Sequence, residues 1–431
     1  MKSIRKAVII DGVRTPFLDS GGAYSQLMTY ELGGKAIAGL MSKTGIDSSR
    51  VDMLTMGTVL HEIETSNVAR ESMLSAGLPA TIPAYTTSMA GLSASVGFAN
   101  LCDMIALGRI DVGIAAGVES FSDIPIRYSQ KIRRAAMKVR QDSSAKNILK
   151  NLAKLRPSDL KPEMPTGTDF TTRKTMGVCA EQMVKKFKVS REDCDAFTVR
   201  SHKLAIEAMN QGHFDGTIIP VQVPGFAQPI TQDNTPREDS NIQKLSTMRT
   251  IFSKSGVITA AGSSRFTDGS AALLVTSQEA AQEMGLQPLA EVVDYQLAAV
   301  KDLETEMLLG PAVSIPELLA RNKLSMADIG VWELHEAFAA QILVNLACMQ
   351  RSEFAEEYYG GVVPGELPLA KLNTWGGSLS LGNPFAATGI RLLTTAAKRL
   401  KAEKAKYAVV SSCAGGGLGA AILIKNMEKN T

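Results

Sequence analysis

Three side chains in the C-terminal third have types and settings suited to nucleophilic or proton-transfer chemistry: Cys413, Asn383 and His335. Cys413 lies in Ser411-Ser-Cys-Ala-Gly-Gly-Gly417, directly after the apolar run Tyr407–Val410, so it stands at a strand end beside three glycines. A cysteine there can attack a carbonyl or carry a proton. Asn383 lies in the small-residue stretch Asn373–Gly389, which turns straight into a helix. Gly376, Gly377 and Gly382 let the backbone take positive φ and approach a ligand closely. Pro384 suits a first helical turn, which predicts Asn383 as the helix cap, where unsatisfied N–H groups and the positive helix end converge. His335 follows the strand-like Val331–Leu334 and is predicted to head a helix to about Met349. Each also has a plain structural reading: Cys413 as a small buried residue in a glycine turn, Asn383 and His335 as helix caps.

Alternating short apolar strands and helices must position these groups, which predicts an α/β architecture. Strands are expected at Ala7–Ile10, Leu54–Leu60, Asp111–Ala116, Ile218–Val223, Ala271–Ser277 and Val292–Tyr295, and helices at Thr29–Lys43, Asn67–Ala76 and Ile315–Asn322. One succession occurs twice: a turn of small residues, a helix, a short turn, then a strand ending in glycine. It runs from Met89 to Gly117 and again from Gly382 to Gly417. That repetition predicts two duplicated halves with site residues at the starts of matching helices. The expected units are 1–121, completed by about 250–289; a loop domain over 122–249; and a second half over 290–431. Ser190-Arg-Glu-Asp193 fits a capping box opening a helix that ends near Gly212.

With 431 residues, 45% apolar and 21% charged, the chain has the composition of a soluble globular protein of more than one unit. No apolar run reaches the length of a spanning helix, and Ala7–Ile10 begins too early to leave room for a cleaved leader. Five cysteines without CxxC spacing argue against a disulfide frame or a zinc site and for a reducing, cytoplasmic setting. Cys179, Cys194 and Cys348 lie in helical patterns and read as core, whereas His61, His202 and His213 read as surface or loop residues. Net charge is +3, yet 127–161 alone carries +9, eleven Lys or Arg against Asp142 and Asp159. Within it Ile148, Leu149, Leu152 and Leu155 alternate with basic residues in helical spacing. This segment packs on its own protein or faces a membrane or partner; nucleic acid is not an expected ligand.

Gly12-Val-Arg-Thr-Pro-Phe17, Met176-Gly177, Ile258–Gly269, His335-Glu-Ala-Phe338, Gly376–Gly389 and Cys413-Ala-Gly-Gly-Gly417, in that order, resemble the thiolase family nearly end to end. The subgroup it most resembles is the 3-ketoacyl-CoA thiolase subunit of the fatty-acid oxidation complex. The resemblance implies a layered α-β-α-β-α core with a long loop-domain insertion, and a homodimer or homotetramer. It also implies coenzyme A as substrate with no covalently bound cofactor, and a fatty-acid oxidation partner or a membrane surface met through 127–161. It assigns Cys413 to proton transfer, His335 to one oxyanion hole, the N–H groups of Gly91 and Gly415 to a second, Ser264 to the pantetheine arm and Met176 to the acyl pocket.

Two departures bear on activity. Gly91 stands where the family carries its nucleophilic cysteine, and Asn383 stands where it carries the histidine of Gly-His-Pro. Cys102, eleven residues on, lies about 16 Å away along a helix and cannot substitute. The resulting expectation is a protein that binds CoA thioesters with lost or altered thiolysis or Claisen condensation. Alternatives are a malonyl-thioester decarboxylase or non-covalent Claisen enzyme using His335, Asn383 and Cys413, and a non-catalytic scaffold subunit of an oxidation complex.

Overall fold

The computed structural model describes residues 4–165 and 167–427. Its strands are β1 (Ala7–Arg14), β2 (Leu18–Asp19), β3 (Met53–Gly57), β4 (Ala84–Thr87), β5 (Val112–Glu119), β6 (Thr267–Ser277), β7 (Ala290–Ala299), β8 (Val331–Leu334), β9 (Tyr407–Ala414) and β10 (Leu418–Asn426). They run in the order β4-β3-β5-β6-β1-β7-β10-β9-β8, with β2 beside β6. The seam between β1 and β7 is only the pairs Val8–Glu291 and Ile9–Ala290. The ten strands therefore divide there into two sheets, and the first is buried along its central strands: every residue of β5 and β6 is buried. Near-continuous apolar strands of this kind need cover on both faces.

That cover makes the layers. The Thr29–Thr44 and Val68–Ser75 helices lie outside the first sheet and the Gly310–Arg321 helix outside the second, while the Ser93–Ala106 and Phe385–Ala402 helices lie side by side between the sheets. These two central helices are the repeated pair expected from the sequence. Close packing there depends on absent side chains: a Cβ on Gly389 would come 2.3 Å from the Ser95 hydroxyl of the facing helix, and one on Gly117 of β5 2.5 Å from the Ala386 carbonyl.

The excursion after β5 is tied down by one buried ion pair. Asp233 receives two 2.6 Å bonds from the Arg14 guanidinium and a third, 2.7 Å, from the Phe17 N–H. Ile218–Val223 is not a strand. Ile218 bridges Arg14 and Val221 bridges Ile230, and no ladder connects them; Pro220 and Pro224 supply no N–H to continue one. The basic segment forms a hairpin of helices, Gln130–Gln141 and Ala145–Leu152, capped by Ser129 and Ser144. Met137, Leu149 and Leu152 on it are 53%, 71% and 54% exposed, so its leucines do not pack on the body of the protein.

Candidate functional site

All seven residues singled out above line one cavity of about 1020 Å³: Gly91, Met176, Ser264, His335, Asn383, Cys413 and Gly415. Each half of the chain supplies part of it. From the first half comes the turn before the Ser93–Ala106 helix. Its Ser93 hydroxyl donates to the Ala90 carbonyl at 2.6 Å and accepts the Met89 N–H at 2.8 Å, and Ala90 sits at φ 47°. A non-glycine residue at positive φ marks a held, costly conformation, so the turn is built although position 91 carries no side chain. The φ of Gly91 is not positive, and a Cβ there would touch nothing nearer than the Cys413 carbonyl at 3.8 Å and the Ala414 methyl at 3.9 Å.

The second half supplies His335, Asn383 and Cys413. His335 continues β8, its N–H bonded to the Ser411 carbonyl at 2.9 Å, but it does not head a helix. The helix starts at Ala339, because the buried carboxylate of Glu336 takes the Ser201 hydroxyl, the Asn373 amide and the Leu379 N–H at 2.7–3.1 Å and pins the connection as a link. The imidazole Nδ1 lies 2.8 Å from the Ser378 hydroxyl. Asn383 is not the helix cap either; Pro384 occupies that position without a side-chain bond. Asn383 Oδ1 accepts the Thr388 hydroxyl at 2.9 Å, and its Nδ2 donates to Ser264 Oγ at 3.2 Å. Ser264 is in turn anchored through its N–H to the Ala337 carbonyl at 3.0 Å. Capping is thus exchanged for a side-chain bridge across the cavity wall.

Cys413 lies in β9 opposite Gly419 of β10, inside a hydrogen-bonded ladder rather than in the glycine turn that follows. The lining also includes apolar Met176, Leu245, Met248, Phe252, Leu308 and Phe338, with the cations Arg237, Lys244 and Arg265. Large apolar cavities with a few converging polar groups are where ligands bind.

Residues 7–279 match the family described as thiolase, N-terminal domain, and residues 286–426 match thiolase, C-terminal domain. The chain belongs to the thiolase family. It is 41% identical over 429 residues to the bovine mitochondrial trifunctional enzyme subunit beta, covering 99% of this chain and 90% of that one. It is 36% identical to a Yersinia pestis 3-ketoacyl-CoA thiolase, with 97% of each chain covered. The acetyl-CoA acetyltransferase of Bacillus anthracis superimposes with a TM-score of 0.85 at 29% identity, over 99% of this chain and 100% of that one.

Electrostatics give this thiolase site an unusual character. Burial pushes the Cys413 thiol up to about 12, which disfavours the thiolate at neutral pH. The same burial weakens Cys413 as a nucleophile. Burial, with the Arg391 charge added, brings His335 down to about 3, so the ring is neutral. His202, read from sequence as a surface or loop residue, is buried on the Arg191–Asn210 helix and lines the cavity. Its Nδ1 accepts the Arg237 N–H at 3.2 Å, and burial brings it down to about 4. Of the other histidines, His61 is exposed and His213 stacks on Trp375 at 4.3 Å. Ser378, Arg391, Glu336 and His202 escaped the sequence reading. Only Arg391, a charge among Gly389, Ile390, Leu392 and Leu393, leaves a visible signal.

The depressed histidines set a pH dependence. Below about 6.5 the unfolded chain protonates both rings, whereas the folded chain does so only near 3 for His335 and near 4 for His202. Their effect on stability is therefore nil above about 6.5 and grows as pH falls, by on the order of 2 kcal/mol each at pH 5. Glu119, fully buried and raised to about 7, acts in the opposite sense over part of this range. The measurement is therefore a comparison of urea midpoints at pH 7.5 and 5. His202→Gln and His335→Gln variants are expected to lose less stability over this interval than the parent; equal losses would contradict the assignment.

Proposed function

We propose that this thiolase-family protein binds CoA thioesters in the cavity and does not run the family's covalent acyl relay. The observation that carries this reading is the pairing of two changes in an otherwise complete site. Position 91 offers room and backbone for a side chain but has none, and position 383 offers an amide held by Thr388 and Ser264 where a base would be needed. Without a nucleophile beside a base, an acyl-enzyme has no route to form. Backbone donors survive such a loss, so a bound thioester oxygen can still be polarised by the His335 ring and the Gly91 and Gly415 N–H groups.

A second reading follows from the same geometry. Donors without a nucleophile suit a step that makes an enolate: the carboxyl C–C bond of a malonyl thioester breaks, its electron pair moves onto the thioester oxygen, CO₂ leaves and the carbon takes a proton to give the acetyl thioester. One experiment separates the two. Titration calorimetry with acetyl-CoA is expected to show binding, while acetoacetyl-CoA with free CoA is expected to remain uncleaved. Cleavage would sink the main reading, and CO₂ release from malonyl-CoA that disappears in His335→Gln would establish the second.

The basic hairpin supports a partner reading, a docking face for an anionic membrane or oxidation-complex surface. Exposed Ile126, Tyr128, Met137, Leu149, Leu152 and Leu160 share 126–161 with a charge of +9. Each cation near an anionic bilayer contributes about 1 kcal/mol. Replacing Arg133, Arg134, Lys138 and Lys150 with Glu is expected to abolish cosedimentation with phosphatidylserine-containing vesicles; retained binding would exclude this face.

A further inference from the structure

We propose that Arg391 and Ser378 are positioning residues for His335: a donor chain from guanidinium to hydroxyl to imidazole that holds the ring as its Nε2–H tautomer, with that N–H presented to the cavity as the donor for a thioester oxygen. The inference rests on the reading of His335 as that donor.

Arg391 is fully buried on the central Phe385–Ala402 helix. Its Nη2 lies 2.8 Å from Ser378 Oγ, and Ser378 Oγ lies 2.8 Å from His335 Nδ1. A guanidinium only donates. Ser378 Oγ must therefore accept from Arg391, and its own hydrogen needs an acceptor. The hydroxyl's other partner among the described hydrogen bonds is His335 Nδ1, so that nitrogen accepts and the ring proton resides on Nε2. Hydrogen bonds running in one direction along such a chain, begun by a cation, polarise one another.

The surroundings of Arg391 suit this task better than an ion-pair task. The Glu333 carboxylate bonds Arg399 through Oε1 at 2.7 Å and leaves Oε2 3.7 Å from Arg391 Nη1, an ion pair too long for a hydrogen bond. Nε and Nη1 of Arg391 have no hydrogen-bond partner, so its one well-formed bond is spent on Ser378. Glu336, the carboxylate next in sequence to His335, is already engaged by Ser201, Asn373 and Leu379. The Arg391 charge also opposes protonation of the ring, in the same sense as its burial.

The test is nitrogen NMR of the full chain labelled with ¹⁵N-histidine, the His335 signals being those lost in His335→Gln. The expected wild-type pattern is protonated Nε2 with unprotonated Nδ1. In Ser378→Ala the pattern is expected to become a mixture of tautomers, with Ser378→Thr restoring it and Arg391→Lys retaining more of it than Arg391→Gln. A protonated Nδ1 in the wild type, or an unchanged pattern in Ser378→Ala, overturns the chain, and the wild-type spectrum decides even where a variant fails to fold. Adding acetyl-CoA is expected to shift the Nε2–H resonance. No shift, with the tautomer as expected, overturns the thioester role of the N–H while the donor chain itself stands.

Discussion

The Gly91→Cys, Asn383→His double variant is expected to cleave acetoacetyl-CoA in the presence of CoA on the order of 10²–10⁴-fold faster than Gly91→Cys alone, the usual contribution of a placed general base. Geometry permits the first change, since a Cβ at 91 makes only ordinary contacts and the φ there suits a side chain. An imidazole at 383 can donate one ring N–H to the Thr388 or Ser264 hydroxyl and keep its other nitrogen as the base. A cysteine without the base remains largely a thiol at neutral pH, with Cys413 too deeply buried to help. The measurement is the initial rate of CoA-dependent acetoacetyl-CoA loss for the parent, both single variants and the double. A silent double variant that still binds acetyl-CoA would mean that the site lacks more than these two side chains.

The second large effect concerns the tether beneath the cavity. Arg14→Met is expected to destabilise the protein by about 3–5 kcal/mol, because it leaves the Asp233 carboxylate buried without its cation. Asp233 would keep one donor, the Phe17 N–H. Replacing both residues, as Arg14→Met with Asp233→Leu, is expected to recover much of the loss, since an apolar pair leaves no orphaned charge. Urea midpoints of the three proteins test this, and a single variant as stable as the parent would refute it. The effect should reach the ligand as well, because the chain that leaves Asp233 carries Arg237, Asp239 and Lys244 to the cavity. Acetyl-CoA affinity is expected to fall in Arg14→Met even where the protein remains folded.

These two effects have different origins. One depends on residue identities that can be read along the chain; the other depends on residues 219 positions apart meeting in the interior.

Much of the architecture was legible in the sequence for a local reason. A turn of small residues followed by a helix states its backbone geometry in its own residue types, which is how the Met89 and Gly382 turns marked the two central helices. The absent side chain at 91 and the amide at 383 were legible in the same way, as identities within a motif. The structure decided what those residues meet. Asn383 looked like a cap because Pro384 follows it, but a cap is chosen by competition, and Thr388 and Ser264 won its side chain. Ile218–Val223 looked like a strand from its apolar residues, but two prolines leave it with isolated bridges. His202 looked peripheral because nothing in its neighbourhood of sequence announces Arg237 or the cavity. Local propensity and motif order reach as far as one turn or one strand. The tautomer of His335, the burial of His202 and the Arg14–Asp233 pair depend on contacts between distant segments, and those exist only after the two halves and the excursion between them have packed.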